Sequence, residues 1–294
     1  MYLSELFQKK KCLFSCEIFP PKKNSEIETV YRTISGLQQL HPDFISVTCG
    51  AGGSAVEDNL TVRIASHVKE KYGIEPLAHL TCVNTSRNNL EETIVFLKKN
   101  RIENVLALRG DRVDGNTATD FAYAAELISL IKRKGNFYIA AACYPEGHPE
   151  SSNRTEEIRH LKEKVEAGAS HLISQLFFNN ENFYAFINEV HTAGVHVPIE
   201  AGIMPAVDKR LIEKIVSLCS ATLPPKLSRI LSRFEKHPSM LFEAGIDYAT
   251  EQIIDLISSG VQGIHLYTMN NPVVAEKIIH NIGGLLMEVN GRRP

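Results

Sequence analysis

Polar residues able to do chemistry recur in this chain at one kind of place, the end of a short apolar run. Glu17 stands in SCEIFPP, Thr48 leads into Gly50, Gly52 and Gly53 in VTCGAGGS, and His79 lies in LAHLTC. Arg109, Gly110 and Asp111 end NVLALRGD, Tyr144 and His148 lie in AACYPEGHPE, Gln175 in SQLFF and Tyr267 in HLYTMNNP. A carboxylic acid in apolar surroundings keeps its proton more readily than in water, which suits proton donation. Clustered glycines let backbone approach a flat or phosphorylated ligand. A buried amide needs partners for both its oxygen and its nitrogen, so Gln175 suits a ligand edge offering donors and acceptors, as pteridines and flavins do. Each residue alone has a structural account: Glu17 paired or turned outward, His79 satisfied in a core, the glycines an ordinary loop. A whole series of runs ending this way points instead to one shared rim.

The runs that carry these residues read as strands, at Leu13–Phe19, Asp43–Thr48, Glu75–Thr81, Glu103–Arg109, Phe137–Cys143, His171–Phe177, His196–Ile203 and Gly263–Thr268. Between them, apolar residues fall at three- and four-residue spacing, as in Leu90, Ile94 and Leu97, or Leu127, Ile128, Leu130 and Ile131. Gly73, Gly135, Gly168 and Gly194 stand just before the next strand, where helix-stopping glycines belong. Alternation of this kind predicts a (β/α)8 barrel over residues 1–294 as one catalytic domain. The long gap between the seventh and eighth strands holds Leu211–Leu218, Pro224–Phe234 and Phe242–Ser258, so extra helices are expected there. A doubly wound open sheet is the other candidate, but no GxGxxG follows the first strand. In a barrel, catalytic groups come from the carboxyl ends of several strands, which is where the polar residues lie.

Composition removes several function classes. A net charge of −2 leaves no basic footprint for nucleic acid or anionic membrane. The longest apolar runs are strand-length, too short to span a bilayer. MYLSELFQKKK has its basic residues after the apolar ones, unlike a secretory signal. Cys12, Cys16, Cys49, Cys82, Cys143 and Cys219 never form a CxxC pair, so no metal centre is expected and reduced thiols in the cytoplasm are. Arg-Gly-Asp as an adhesion tripeptide would need a secreted protein, and neither GxxxxGK[ST] nor GxSxG occurs.

The motifs EIFPP, VTCGAGGS, HLTC, NVLALRGD, AACYPEGHPE, LKEKVEAGA, SQLFFN, AGIMP and HLYTMN, in this order from about Phe14 to Gly284, resemble those of methylenetetrahydrofolate reductases. The resemblance implies an FAD-containing TIM barrel that reduces 5,10-methylenetetrahydrofolate to 5-methyltetrahydrofolate with NADH or NADPH, supplying methyl groups for methionine synthesis. Glu17 resembles the family's essential acid, Asp111 the aspartate beside flavin and pterin, and Gln175 the pterin-contacting glutamine. Thr48, His79, Arg109, Gly110, Tyr144, His148 and Lys164 fall on flavin-binding positions, and Tyr267 on a substrate-side position near the mouth.

Several positions depart from the family pattern. Cys49 stands where an aromatic residue is frequent. Glu157 and His160 stand where bacterial relatives commonly carry aspartate and asparagine near the flavin's ribose and adenine side. Leu211 and Ile215 replace a glutamine and a phenylalanine that hold the folate's aminobenzoyl group. The resemblance further implies a homo-oligomer and a ping-pong scheme, and the end of the chain leaves no room for the regulatory domain of eukaryotic relatives. Two rivals are a flavin barrel acting on another small substrate, in the manner of a proline dehydrogenase, and a flavin- or folate-binding subunit without turnover.

Overall fold

A computed structural model describes residues 1–21, 26–49, 59–111, 120–151 and 153–291. Eight strands, β1 (Leu13–Ile18), β2 (Phe44–Val47), β3 (Glu75–Thr81), β4 (Asn104–Leu108), β5 (Tyr138–Cys143), β6 (His171–Ser174), β7 (Ile199–Ile203) and β8 (Gly263–Tyr267), close in chain order into a barrel. All neighbours are parallel, and β1 meets β8 with Glu17 opposite Tyr267. The glycine-rich loop with Gly50, Gly52 and Gly53 lies outside the described residues.

Around the strands run α2 (Ile27–Gln38), α3 (Leu60–Tyr72), α4 (Arg87–Lys99), α5 (Ala124–Lys134), α6 (Arg154–Ala167) and α7 (Asn180–Thr192). After β7 come α8 (Lys209–Cys219), α9 (Pro225–Phe234) and α10 (Pro238–Ser258), and α11 (Pro272–Val289) follows β8. Helix starts are set locally. Asn59, Ser86, Asn153 and Asp208 each accept a backbone N–H of the first turn on their side chains, replacing bonds the helix itself does not make. At the far end of α3, Gly73 takes the left-handed conformation (φ 66°) that favours glycine.

Strand alternation sorts the side chains to two sides. Phe14, Cys16 and Ile18 face outward into the main core with Ile34, Leu37 and Ile278. Leu13, Ser15 and Glu17 face the barrel interior, where Ser15 meets His265 on the neighbouring β8 and Glu200 on β7. The lower interior is apolar: Leu13, Phe44, Leu77, Leu106, Ala140 and Ile173 pack there with Leu3. Leu3 precedes a short N-terminal helix, α1 (Ser4–Lys9), that the sequence reading did not anticipate. Its backbone N–H donates to Asn104 Oδ1 at 3.0 Å, so the segment seals the barrel floor. Truncating a fully buried leucine of this kind costs about 2–5 kcal/mol.

The excursion after β7 builds a second apolar cluster, in which Leu176, Phe178, Met204, Ile212, Leu227, Leu231 and Leu241 meet. Gly245 on α10 permits this, because a Cβ there would lie 2.4 Å from the Ala206 carbonyl oxygen. Strand ends differ from expectation where the chain leaves the barrel. β6 stops at Ser174 rather than Phe177 because Leu176 and Phe178 turn into that second cluster. β7 begins at Ile199 rather than His196. α8 and α10 begin earlier than their apolar periodicity, at the Asp208 cap and at Pro238. No described helix is long and apolar enough to cross a membrane.

Candidate active site

At the centre of the barrel mouth stands Glu17, the inward residue near the end of β1, with its side chain 19% exposed. Its Oε2 lies 3.6 Å from His79 Nε2 on β3 and 3.6 Å from His265 Nε2 on β8. Each imidazole is held by a serine: Ser46 Oγ is 2.5 Å from His79 Nε2, and Ser15 Oγ is 2.7 Å from His265 Nδ1. Burial pushes His79 down to about 4; Glu17 opposes that shift and His265 adds to it. His79 is therefore neutral at pH 7 and places no cation beside the carboxyl. Thr268 Oγ1 donates to the Glu17 carbonyl at 2.7 Å and fixes the strand end against β8.

Two further predicted residues border this centre. Tyr267 donates its hydroxyl to the Ser174 carbonyl at 2.8 Å and sets its ring edge-on to His265, with centroids 5.3 Å apart. What it offers a ligand is therefore ring surface rather than a free hydroxyl. Gln175 lies one residue beyond β6, where its backbone N–H donates to the Cys143 carbonyl at 2.7 Å. Its Oε1 accepts the Leu176 N–H at 2.8 Å, and its Nε2 has no acceptor among the described residues. The amide thus keeps its donors for a ligand edge.

After β4 the chain turns through Arg109, Gly110 and Asp111. Gly110 has φ 86°, and a Cβ there would lie 3.1 Å from Thr81 Cβ, so glycine serves both the turn and the close approach. The Asn84 amide donates to the Asp111 carbonyl at 2.9 Å. The Asp111 carboxylate is exposed and makes no hydrogen bond or ion pair with described residues. Arg109 forms a two-pronged pair with Glu150, at 2.8 and 2.6 Å, which raises the arginine's pKa.

Beside the barrel mouth, between β4, β5, α5 and α6, lies a cleft of about 310 Å³. Arg109, Tyr144, His148, Glu157, His160 and Lys164 all line it, so the structure brings together six residues that the sequence placed far apart. The Lys164 ammonium donates to the Ala142 carbonyl at 2.8 Å and stands 5.6 Å from the Tyr144 ring centroid. Burial lowers its pKa, with Glu157 opposing. Glu157 is itself buried and accepts the Ser151 hydroxyl at 2.6 Å. His148 meets Tyr144 edge-on, and its pKa is lowered by burial and then by Arg109. His160 stacks on Tyr123 at 4.9 Å and its Nδ1 lies 3.1 Å from Glu163 Oε2. The wall is thus mixed: two cations suited to phosphate, two stacked or edge-on ring pairs, and the carboxylates Glu150, Glu156, Glu157 and Glu163 suited to sugar hydroxyls.

Other predicted residues stand apart from these two groups. Thr48 follows β2, where its N–H donates to the Ile18 carbonyl at 3.0 Å and its carbonyl accepts the Thr61 hydroxyl at 2.9 Å. Leu211 and Ile215 lie on α8; Ile215 packs on the second apolar cluster, and the Leu211 N–H is held by the Asp208 cap. Cys49 donates its thiol to the His79 carbonyl, and burial raises its pKa to about 11. Among the described residues no group of three or more His, Cys, Asp or Glu is placed to hold a metal ion. Sequence reasoning missed Ser15, Ser46 and His265 at the centre, and Tyr123, Glu150, Glu156 and Glu163 in the cleft. The alternation Leu13-Ser15-Glu17 and Gly263-His265-Tyr267 is the signal that marks Ser15 and His265 as inward residues.

Comparison with known proteins narrows the chemistry. The sequence model of a family described as methylenetetrahydrofolate reductase matches residues 2–283. The 5,10-methylenetetrahydrofolate reductase of Pectobacterium carotovorum subsp. carotovorum is 33% identical over 269 residues, covering 92% of this chain and 89% of its own. That of Escherichia coli (strain K12) is 31% identical, with 92% and 90% covered. A probable methylenetetrahydrofolate reductase (NADH) of Oryza sativa subsp. japonica is 32% identical over 93% of this chain but only 48% of its own, so the chain spans about half the length of that plant relative. Among solved structures, an uncharacterised Clostridium thermocellum protein that binds two copies of 5-methyl-5,6,7,8-tetrahydrofolic acid superposes with a TM-score of 0.63. It covers 96% of this chain and 98% of its own at 15% identity, a likeness of fold.

Proposed function

This chain belongs to the methylenetetrahydrofolate reductase family, and on that premise we propose that it reduces 5,10-methylenetetrahydrofolate to 5-methyltetrahydrofolate, with FAD as cofactor and NADH or NADPH as electron donor. The observation that carries this reading is the Glu17 carboxyl between two imidazoles at a barrel mouth that opens beside a mixed-charge cleft. The cleft residues fit a flavin dinucleotide. Lys164 and Arg109 would hold its diphosphate, Glu157 and Glu163 its hydroxyls, and the Tyr123–His160 stack one of its flat edges. When bound, FAD supplies hydride transfer between the nicotinamide and the one-carbon unit.

The protein's own residues have separable tasks. A methylene bridge between two nitrogens accepts hydride poorly until it opens to a cation at N5, and opening requires a proton at N10. Glu17 donates that proton, directly or through one water. Neutral His79 leaves the carboxyl without an adjacent cation, and His265 offers its Nε2 to the same oxygen. Asp111, an exposed carboxylate with no partner among the described residues, places negative charge toward the developing cation. Gln175 donates from Nε2 to the pterin edge and fixes the substrate's angle, where a small misplacement is costly. If donor and folate use the same mouth in turn, the kinetics are ping-pong. Unpaired thiols at all six cysteines suit a cytoplasmic setting.

The test is direct. Purified protein is expected to be yellow, to bleach with NADH or NADPH, and to recover its colour on addition of methylenetetrahydrofolate in a stopped-flow experiment. A protein that takes up no FAD, or one that bleaches and recovers with proline-derived imine but not with folate, sinks the proposal.

A further inference from the structure

Beneath Glu17 the barrel holds a second ionisable group that the reaction as proposed leaves unused. Glu200 on β7, His171 on β6, Ser15 on β1 and His265 on β8 are all fully buried. Glu200 Oε2 lies 3.3 Å from His171 Nε2 and 3.3 Å from Ser15 Oγ. Gly263 makes the room, since a Cβ there would fall 2.5 Å from Glu200 Oε1. That oxygen and both His171 ring nitrogens have no hydrogen-bond partner among the described residues. A carboxyl and an imidazole sealed below a barrel mouth by Phe44, Tyr138 and Phe7 are costly, because desolvation disfavours every charge they carry. An apolar residue would fill the lower interior without that cost, as Leu13, Leu77 and Leu106 do on β1, β3 and β4.

The connection upward runs through a single hydroxyl proton. Ser15 Oγ lies 2.7 Å from His265 Nδ1, 3.3 Å from Glu200 Oε2 and 3.4 Å from the Ile264 carbonyl oxygen, and its one proton serves one of them at a time. Donation to the carbonyl leaves His265 in the same form as donation to Glu200. If the proton goes to Glu200, then His265 must carry hydrogen on Nδ1 and donate it to Ser15. The Nε2 lone pair then faces Glu17, which is matched only when Glu17 is the acid. If the proton goes to His265 Nδ1, an Nε2–H faces Glu17 and matches the carboxylate. His265 Nε2 makes no hydrogen bond among the described residues, and the Glu17 carboxyl oxygen at 3.6 Å is the ionisable group it faces, so the choice reaches Glu17 as the dipole turned toward it.

We propose that Glu200 is a positioning residue for Glu17: by drawing the Ser15 hydroxyl proton toward itself, it fixes His265 as the Nδ1–H tautomer and holds Glu17 in its proton-donating form. The proposal rests on Glu17 being the acid of the reaction proposed above. The groups facing Glu200 are His171 from β6, Ser15 from β1, His265 from β8, the Tyr138 phenol from β5 and the Cys12 thiol ahead of β1. Behind Cys12 sits the Lys10–Asp43 ion pair. Glu200 contributes to raising both Tyr138 and Cys12, second to burial in each, so its field is felt across the barrel floor. Facing Glu17 are His79, His265 and Tyr267.

Two nuclear magnetic resonance readouts on the flavin-loaded protein, without folate or nicotinamide, test the relay. With 13C at glutamate Cδ, the Glu17 signal (assigned by its loss in Glu17→Gln) is titrated. Glu200→Gln is expected to lower its midpoint by about one pH unit, the scale on which a reversed dipole beside a carboxyl acts. Ser15→Ala should lower it similarly, and the double variant no further than Ser15→Ala. With 15N-histidine, His265 should read as Nδ1–H in the parent and Nε2–H in both variants. An unchanged Glu17 midpoint overturns the proposal, as does an Nε2–H tautomer in the parent. A Glu200→Gln effect that persists in full on the Ser15→Ala background also overturns it, because that effect travels through space. Should Glu200→Gln not fold, Ser15→Ala alone decides by the same two signals. Failure of folate reduction with these titrations intact would count against the proposed reaction and leave the relay standing.

Discussion

The barrel axis and the side cleft adjoin each other yet use charge in opposite ways. On the axis, Ser15, Glu200, His171 and His265 are fully buried, His79 nearly so and Glu17 largely so. There every ionisable group lies within 3.6 Å of a named side chain, and burial drives His79 down to about 4. In the cleft, Arg109, Glu150, Glu156, His160 and Glu163 are partly or fully exposed, with Arg109 paired to Glu150 and His160 set between Glu156 and Glu163. Water screens each of those pairs, so the cleft gains attraction from number rather than from depth. The first arrangement suits moving a proton; the second suits holding a long, polar ligand. Lys164 and Glu157 are the exceptions that join them, a desolvated ammonium and a buried carboxylate in the otherwise exposed cleft.

The largest effect should come from the axis. Glu17→Gln keeps the shape and removes the proton, and general acid catalysis contributes about 10²–10⁴-fold. Folate reduction is expected to fall by about 10³-fold, while oxidation of NADH or NADPH with an artificial acceptor continues. Steady-state assays of the two half-reactions on one preparation check this. Equal losses in both, with FAD still bound, would erase the division of labour between axis and cleft.

Lys164→Met tests the other region. A charge-assisted hydrogen bond to phosphate is worth about 1.5–3 kcal/mol, so FAD should bind about 10- to 100-fold more weakly. Fluorescence titration of the protein stripped of FAD measures it. At saturating FAD both half-reactions should return together. A selective loss of folate reduction would mean that Lys164 serves the axis instead.

His79 gives the comparison a pH signature. Its pKa is about 4 in the fold against about 6.5 in an unfolded chain. Between those values the unfolded state binds a proton that the folded state does not. His79 therefore contributes stability that is complete above about pH 6.5 and is lost as pH falls toward 4. From pH 7 to pH 5 the loss is about 2 kcal/mol. Urea unfolding of the parent and of His79→Gln at the two pH values should show that the variant lacks this part of the slope. Identical slopes would place His79 in water rather than in the barrel.

The same contrast explains what could be read before any coordinates. β3 spans Glu75–Thr81 as its apolar run predicts, and the helices after β7 appear where the long gap required them. Tyr144 and His148 were named as polar residues ending a strand, and Lys164 through a resemblance that matches local motifs. Ser15, His265 and Glu200 were not, because each is one polar residue in an apolar strand. Their partnership exists only once β1 and β8, some 250 residues apart, close the barrel. Glu156 and Glu163 escaped for the opposite reason: charges on a helix flank read as a solvated face until α5 and α6 enclose a cleft. The α1 segment was hidden by brevity, since six residues carry too little periodicity to register.

The smallest effect should come from Glu150, and it sharpens the comparison most. Arg109 is already gripped by Glu150, which is about half exposed at the cleft rim. A ligand phosphate seeking Arg109 must displace that carboxylate, so the rim pair competes with binding. Exposed pairs of this kind contribute about 0–1 kcal/mol to folding, and Glu150→Gln should change the unfolding free energy by less than about 1 kcal/mol. FAD should then bind about two- to three-fold more tightly, with a steeper dependence on salt because the guanidinium is no longer neutralised. Titrations at low and high ionic strength separate the outcomes. Weaker binding in the variant would mean that Glu150 itself holds the ligand, and the cleft would then be a carboxylate site with Arg109 in support.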